Sequence, residues 1–129
     1  MKELVAIAEQ IAERLVARHQ TIAVAESSTG GLISAALLAV PGASAYFLGG
    51  AVVYTRASRT ELLRVTDEEF AALTGITPST EPYALLFAHK IKERLSTTWS
   101  VGETGSADRV DNMRAFSVAA LDLLEKCLG

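Results

Sequence analysis

The chain has 129 residues, half of them apolar and 6% aromatic, with a formal charge of −3 at pH 7. That length makes one domain around one hydrophobic core, and the composition is that of an ordinary globular protein rather than a fibrous or disordered one. A slight negative charge with no run of Lys or Arg supplies no electrostatic footprint for nucleic acid or an anionic membrane surface, so neither is expected as a partner.

At the N-terminus, MKELVAIAEQIAERL mixes acids into its apolar pattern and resembles neither a signal peptide nor a membrane span, so a cytoplasmic protein is expected. Leu4, Ile7, Ile11 and Leu15 recur at helical intervals and predict an amphipathic helix over residues 3–19. TIAVA, residues 21–25, is a short β-branched run that predicts a strand. The loop ESSTGG separates it from LISAALLAV, which lacks strand alternation and predicts a buried helix stopped by Pro41 and Gly42. YFLGGAVVY, residues 46–54, predicts an interior strand in which Gly49 and Gly50 mark a bulge or a close backbone approach. ASRTELLRV predicts a short helix. Thr66 with Glu69 makes a capping box for the next, which Gly75 ends, and Thr80, Glu81 and Pro82 open a longer one to about Leu95.

TTWSVG predicts a third strand, and Val110, Met113, Ser117, Leu121, Leu124 and Leu128 keep helical spacing to the end. Strands alternating with helices predict an α/β fold, a layered α/β/α domain with a largely parallel sheet, undivided over residues 1–129. Three strands are few beside a mean sheet of about five or six, which predicts that something sheet-like is missing. Cys127, the single cysteine, cannot form an internal disulfide and reads as a small packed hydrophobe in a reducing compartment. His19 and His89 stand far apart without a Cys or carboxylate at ligand spacing, so no metal site is expected.

The chemistry, if there is any, concentrates in AESSTGG, Ala25 to Gly31. A loop running from a strand into a helix presents unpaired N–H groups to an anion, and the same Ser, Thr and Gly residues also cap helices in proteins that bind nothing. Neither GxxxxGK nor GxGxxG is present. Glu26 is either a helix-terminal acid facing solvent or a polar anchor inside a site.

The ordered series AESSTGG, VPGASAYFLGGAVVYTRASR, VGETG and ADR resembles the C-terminal domain of the competence/damage-inducible protein CinA, also found as a stand-alone nicotinamide mononucleotide deamidase. The family pattern runs AESCTGG, PGaS, gG-V-tYsn-aK, TG-aGP and a GDR-type arginine. The resemblance covers most of the chain. It implies hydrolysis of the carboxamide of nicotinamide mononucleotide to nicotinate mononucleotide and ammonia, with neither cofactor nor metal. Amide hydrolysis needs a nucleophile, a proton acceptor and oxyanion donors. By resemblance, Ser27, Ser28, Thr29, Gly30 and Gly31 line the site with Glu26, their helix N-terminus holding phosphate or a developing oxyanion. Ser44 of PGAS is the preferred nucleophile and Ser27 the second candidate. Tyr54 orients nucleophile or substrate, Thr104 belongs to the third loop, and Arg109 clamps phosphate or carboxylate.

Two departures stand out. Five residues after Tyr54, where the family has lysine, this chain has Arg59, and the lysines present (Lys2, Lys90, Lys92 and Lys126) all lie elsewhere. A guanidinium stays charged and cannot serve as a general base, which leaves Arg59 a charge-stabilising role and proton transfer to Tyr54, Glu26 or water. Between VGETG and ADR, roughly 30 residues of the family pattern have no counterpart, in keeping with the strand deficit. The leading reading is a nicotinamide mononucleotide amidohydrolase. Its rivals are a nucleotide-binding module that has lost catalysis and an interaction domain linked to competence or DNA damage. Glycine-rich strands and an alanine-rich helical surface leave room for a symmetric homodimer.

Overall fold

Ile22 to Glu26 are all buried, and this run forms β1 (Ile22–Glu26), the middle strand of a three-stranded parallel sheet ordered β2-β1-β3 with β2 (Phe47–Val52) and β3 (Trp99–Gly102). The computed structural model describes residues 1–77, 80–105 and 110–129. Around the sheet lie α1 (Lys2–Arg18), α2 (Leu32–Leu38), α3 (Arg56–Leu63), α4 (Asp67–Ala72), α5 (Glu81–Leu95) and α6 (Val110–Leu128), with a 3-10 turn at Ala43–Ala45 before β2. Among the described residues no helix is long and apolar enough to cross a membrane.

Period-two alternation along β1 divides the core. Ile22 and Val24 pack with Leu4, Ile11, Leu15, Leu37 and Leu121 in a layer formed by α1, α2 and α6. Ala23 and Ala25 face Leu63, Phe70, Tyr83, Phe87 and Ile91 from α3, α4 and α5. A central parallel strand is covered on both faces, which is why β1 reads as a continuous apolar run. The layered α/β/α architecture predicted from the sequence is therefore the one observed.

The glycines of β2 do both things expected of them. Ile22 pairs with Phe47 but Ala23 with Gly49, so an extra residue bulges at Leu48, and a Cβ on Gly50 would approach Ser34 Oγ to 2.7 Å. Three local expectations are corrected. β2, expected in the interior of the sheet, is an edge strand with every second residue exposed. The helix α4 ends at Ala72, with Leu73 as its cap, and Gly75 lies in the turn beyond at φ 84°. Cys127 is exposed rather than packed, because its side of the last turn of α6 lines an open groove beside β3.

The capping box forms as predicted: Thr66 N–H donates to Glu69 Oε1 at 2.9 Å and Glu69 N–H to Thr66 Oγ1 at 3.1 Å, while Lys90 Nζ reaches Glu69 at 3.0 Å. The Thr66 backbone N–H, then Lys90, hold the Glu69 carboxyl below its ordinary range. That contribution is present above the ordinary carboxylate pKa and disappears as pH falls through the lowered folded value. Thr66→Ala is expected to cost about 1 kcal/mol in urea unfolding at pH 7. In Glu69→Gln the loss of stability below about pH 5 should be shallower than in the wild type.

Candidate functional site at the carboxyl ends of the strands

Because all three strands run parallel, their carboxyl ends share one edge, and that edge collects the loop Ser27–Gly31 after β1, Tyr54 after β2, and Glu103 and Thr104 after β3. The loops that leave β1 and β3 meet at the β1/β3 boundary of this edge, outside the carboxyl ends of the strands, where open α/β sheets place ligands. Here that boundary is filled from within.

Glu26, the last residue of β1, has no exposed surface. Its Oε1 accepts from Thr29 Oγ1 at 2.7 Å, Gly31 N–H at 3.2 Å and Ile33 N–H at 2.9 Å, and its Oε2 from Ser34 N–H at 2.8 Å. These are the orphan donors of α2, so the expectation that this terminus holds a phosphate or an oxyanion is corrected: the chain's own carboxylate is the anion there. Of the two readings left open for Glu26, the helix-terminal acid facing solvent is excluded by its burial. Gly30 and Gly31 sit at φ 63° and 104°, a left-handed pair that folds the chain back over the carboxylate.

A second carboxylate, which sequence reasoning missed, completes the arrangement. Glu103, 6% exposed, accepts on Oε1 from Ser27 N–H at 2.9 Å, Thr29 N–H at 3.0 Å and Thr29 Oγ1 at 2.6 Å, and on Oε2 from the Ser28 hydroxyl. The Thr29 hydroxyl, with a single hydrogen to donate, thus stands between Glu26 and Glu103. The available signal was an acid directly after an apolar strand, in VGETG, where a buried charge needs a ring of donors.

The other candidates are dispersed. Ser44 is exposed in the 3-10 turn that enters β2. Since Ile22 is paired with Phe47, Ser44 lies at the amino edge of the sheet, whereas Ser27 follows its carboxyl edge. Five strand residues separate the two, about 16 Å at ~3.3 Å per residue. The grouping of Ser44 with Ser27 and Tyr54 is corrected accordingly: one copy of the chain does not bring them together. Tyr54 is 68% exposed on the carboxyl edge.

Arg59 turns toward α5. Its Cζ lies 5.2 Å from the Phe87 ring centroid, and its Nε is buried without a hydrogen-bond partner. Burial lowers its pKa, opposed by Tyr83. Arg109 lies outside the described residues, and among the described residues no three His, Cys, Asp or Glu side chains gather as a metal site.

Residues 4–114 match the model of the CinA C-terminal domain. The chain belongs to the CinA family. It is 40% identical over 93 residues to a putative competence-damage inducible protein of Moorella thermoacetica, covering 72% of this chain and 22% of that one. It is 41% identical over 88 residues to a CinA-like protein of Parasynechococcus marenigrum, covering 68% of this chain and 20% of the relative. The chain thus spans about a fifth of the length of these curated relatives. Solved CinA superfamily structures share the fold. One from Enterobacter cloacae superposes with TM-score 0.83 at 20% identity, over 98% of this chain and 92% of that one. CihA, a competence/damage inducible protein from Agrobacterium tumefaciens, superposes with TM-score 0.82 at 22% identity, over 98% and 95%.

Proposed function

We propose that this CinA-family chain is an amidohydrolase of nicotinamide mononucleotide in which a carboxylate replaces the family lysine as proton acceptor. The observation that carries the reading is the Ser28 hydroxyl donating to Glu103 Oε2 at the carboxyl edge of the sheet, a nucleophile in contact with a base. Glu103 takes the hydroxyl proton as Ser28 Oγ bonds to the carboxamide carbon. The tetrahedral intermediate collapses with cleavage of the C–N bond, and the proton passes to the departing ammonia. Water then attacks the acyl-serine, and its proton returns through Glu103 to Ser28 as nicotinate mononucleotide leaves. Tyr54 and Thr104, on the same edge, orient the substrate.

A second reading, a nucleotide-binding module without turnover, is favoured by Arg59: its guanidinium covers Phe87 and, already protonated, cannot accept a proton.

Ammonia release from nicotinamide mononucleotide by the purified protein tests both. Under the first reading the wild type turns over, and Ser28→Ala and Glu103→Gln each lose about 10²–10⁴-fold. Ser44→Ala retains activity; its loss there would place Ser44 in the site across an interface between copies. A silent wild type with activity appearing in Arg59→Lys supports the second reading. Silence in all variants, with no binding of the nucleotide, removes this substrate from consideration.

A further inference from the structure

The sheet ends at β3 with an unused edge. Trp99 N–H donates to Thr21 O and Glu103 N–H to Ala25 O, so the odd-numbered residues of this stretch face β1. By strand alternation, Ser100 and Gly102 turn their N–H and C=O groups the other way. Among the described residues no strand pairs on that side.

The edge is neither flat nor free-standing. The helices α5 and α6, on opposite faces of the sheet, both line a trench along β3 with a volume of about 550 Å³. One wall is Ala84, Leu85 and Ala88; the other is Ala120, Leu123 and Leu124; Trp99 to Gly102 form the floor. Leu85 and Leu123 stand on the walls 53% and 64% exposed. The lining carries one carboxylate, Glu81, at the start of α5, the end that meets the carboxyl end of β3.

We infer that this trench binds an extended apolar peptide strand of a partner protein, added to β3 by backbone hydrogen bonds to Ser100 and Gly102, with a basic residue at the end that reaches Glu81. Each part of the trench selects part of that ligand. Unsatisfied backbone donors and acceptors recognise backbone. Two apolar walls of Ala and Leu admit a pleated strand with apolar side chains, and a lone carboxylate on the rim favours a Lys or Arg. Recession of β3 between two helices disfavours a second copy of this chain, whose own β3 lies equally deep. The open edge of a sheet is otherwise a hazard, and the covering helices leave access only to a single narrow strand.

Trp99 is the only tryptophan and forms part of the floor, so binding has a built-in reporter. The probe is a synthetic peptide of alternating Val and Thr with a terminal Lys and no aromatic residue. Titrated into the full chain, it should shift Trp99 emission saturably and slow amide exchange at Ser100 and Gly102 at least about tenfold, as new hydrogen bonds protect them. Leu85→Lys and Leu123→Lys, both at exposed positions and so harmless to folding, should weaken binding at least tenfold. Replacing the terminal Lys by Glu should weaken it too.

An N-methylated peptide, which cannot donate, should not bind. If it binds equally well, apolar adsorption and not strand addition is at work, and the inference is wrong. An unmoved Trp99 emission with unprotected Ser100 and Gly102 also overturns it. So does protection of those amides without peptide that rises with protein concentration alongside dimer formation, which would assign the trench to a second copy.

Discussion

Gly102→Ala is expected to be the most disruptive single methyl in this protein, costing about 4 kcal/mol or more of stability, the range reserved for steric failure in a core. A Cβ at that position would stand 2.1 Å from Ala84 O, 2.6 Å from Ala88 N and 3.0 Å from Ala88 Cβ. Two of these three atoms are helix backbone, so no side chain can swing aside. α5 would have to lift off β3, and the contacts of Tyr83, Phe87 and Ile91 with Ala23, Ala25 and Val53 would open with it. Gly49→Ala is the matched control. There a Cβ would meet only the Leu95 Cδ1 at 3.1 Å, the tip of a flexible side chain, and the cost should stay below about 1 kcal/mol. Urea unfolding of the two variants checks this: equal midpoints would show that α5 does not press on β3 as described.

Glu26→Ala should be nearly as severe. It removes the acceptor for Gly31, Ile33 and Ser34 N–H and for the Thr29 hydroxyl at a position with no access to solvent. Each buried donor left unsatisfied costs about 1–3 kcal/mol, and relaxation of the loop recovers part of that, so a loss of about 4 kcal/mol is expected. Set against a typical total of about 5–15 kcal/mol for a domain, the variant stands close to unfolding. Glu26→Gln retains one acceptor oxygen and should lose less. A loss under about 1 kcal/mol for Glu26→Ala, by urea midpoint at unchanged slope, would mean that water replaces the carboxylate at α2.

What was legible in the sequence followed from local rules. The stripe Leu4, Ile7, Ile11, Leu15 makes α1, and Thr66 with Glu69 makes a box that depends on nothing beyond three residues of separation. The loop Ser27–Gly31 was found because strand, small polar residues and helix follow one another directly. The interior of the site was less legible, since Glu103 meets Ser27 to Thr29 across some 75 residues and only the pairing of β1 with β3 brings them together. Ser44 shows the converse. Its motif is near AESSTGG in sequence, yet parallel strands joined by a helix return the chain to the amino edge before each new strand begins. Arg59 reads as a surface charge or a substrate clamp by its type alone; its packing over Phe87 depends on how α3 lies against α5.

The position of β1 in the sheet also bears on how the chain is made. β1 is made before both of the strands it pairs with, and Ile22 finds Trp99 only after 77 further residues. A nascent chain therefore carries this wholly buried strand half-paired until those residues have been made. With synthesis at ~5–20 residues per second, that interval is several seconds, long beside hydrophobic collapse and long enough for a chaperone to act. Helices α1 and α2 form from local sequence and can cover one face of β1 early, so the waiting strand is sheltered on that side first. The arrival of β3 then completes the sheet, and α6 closes the core after it with Leu121, Leu124 and Leu128.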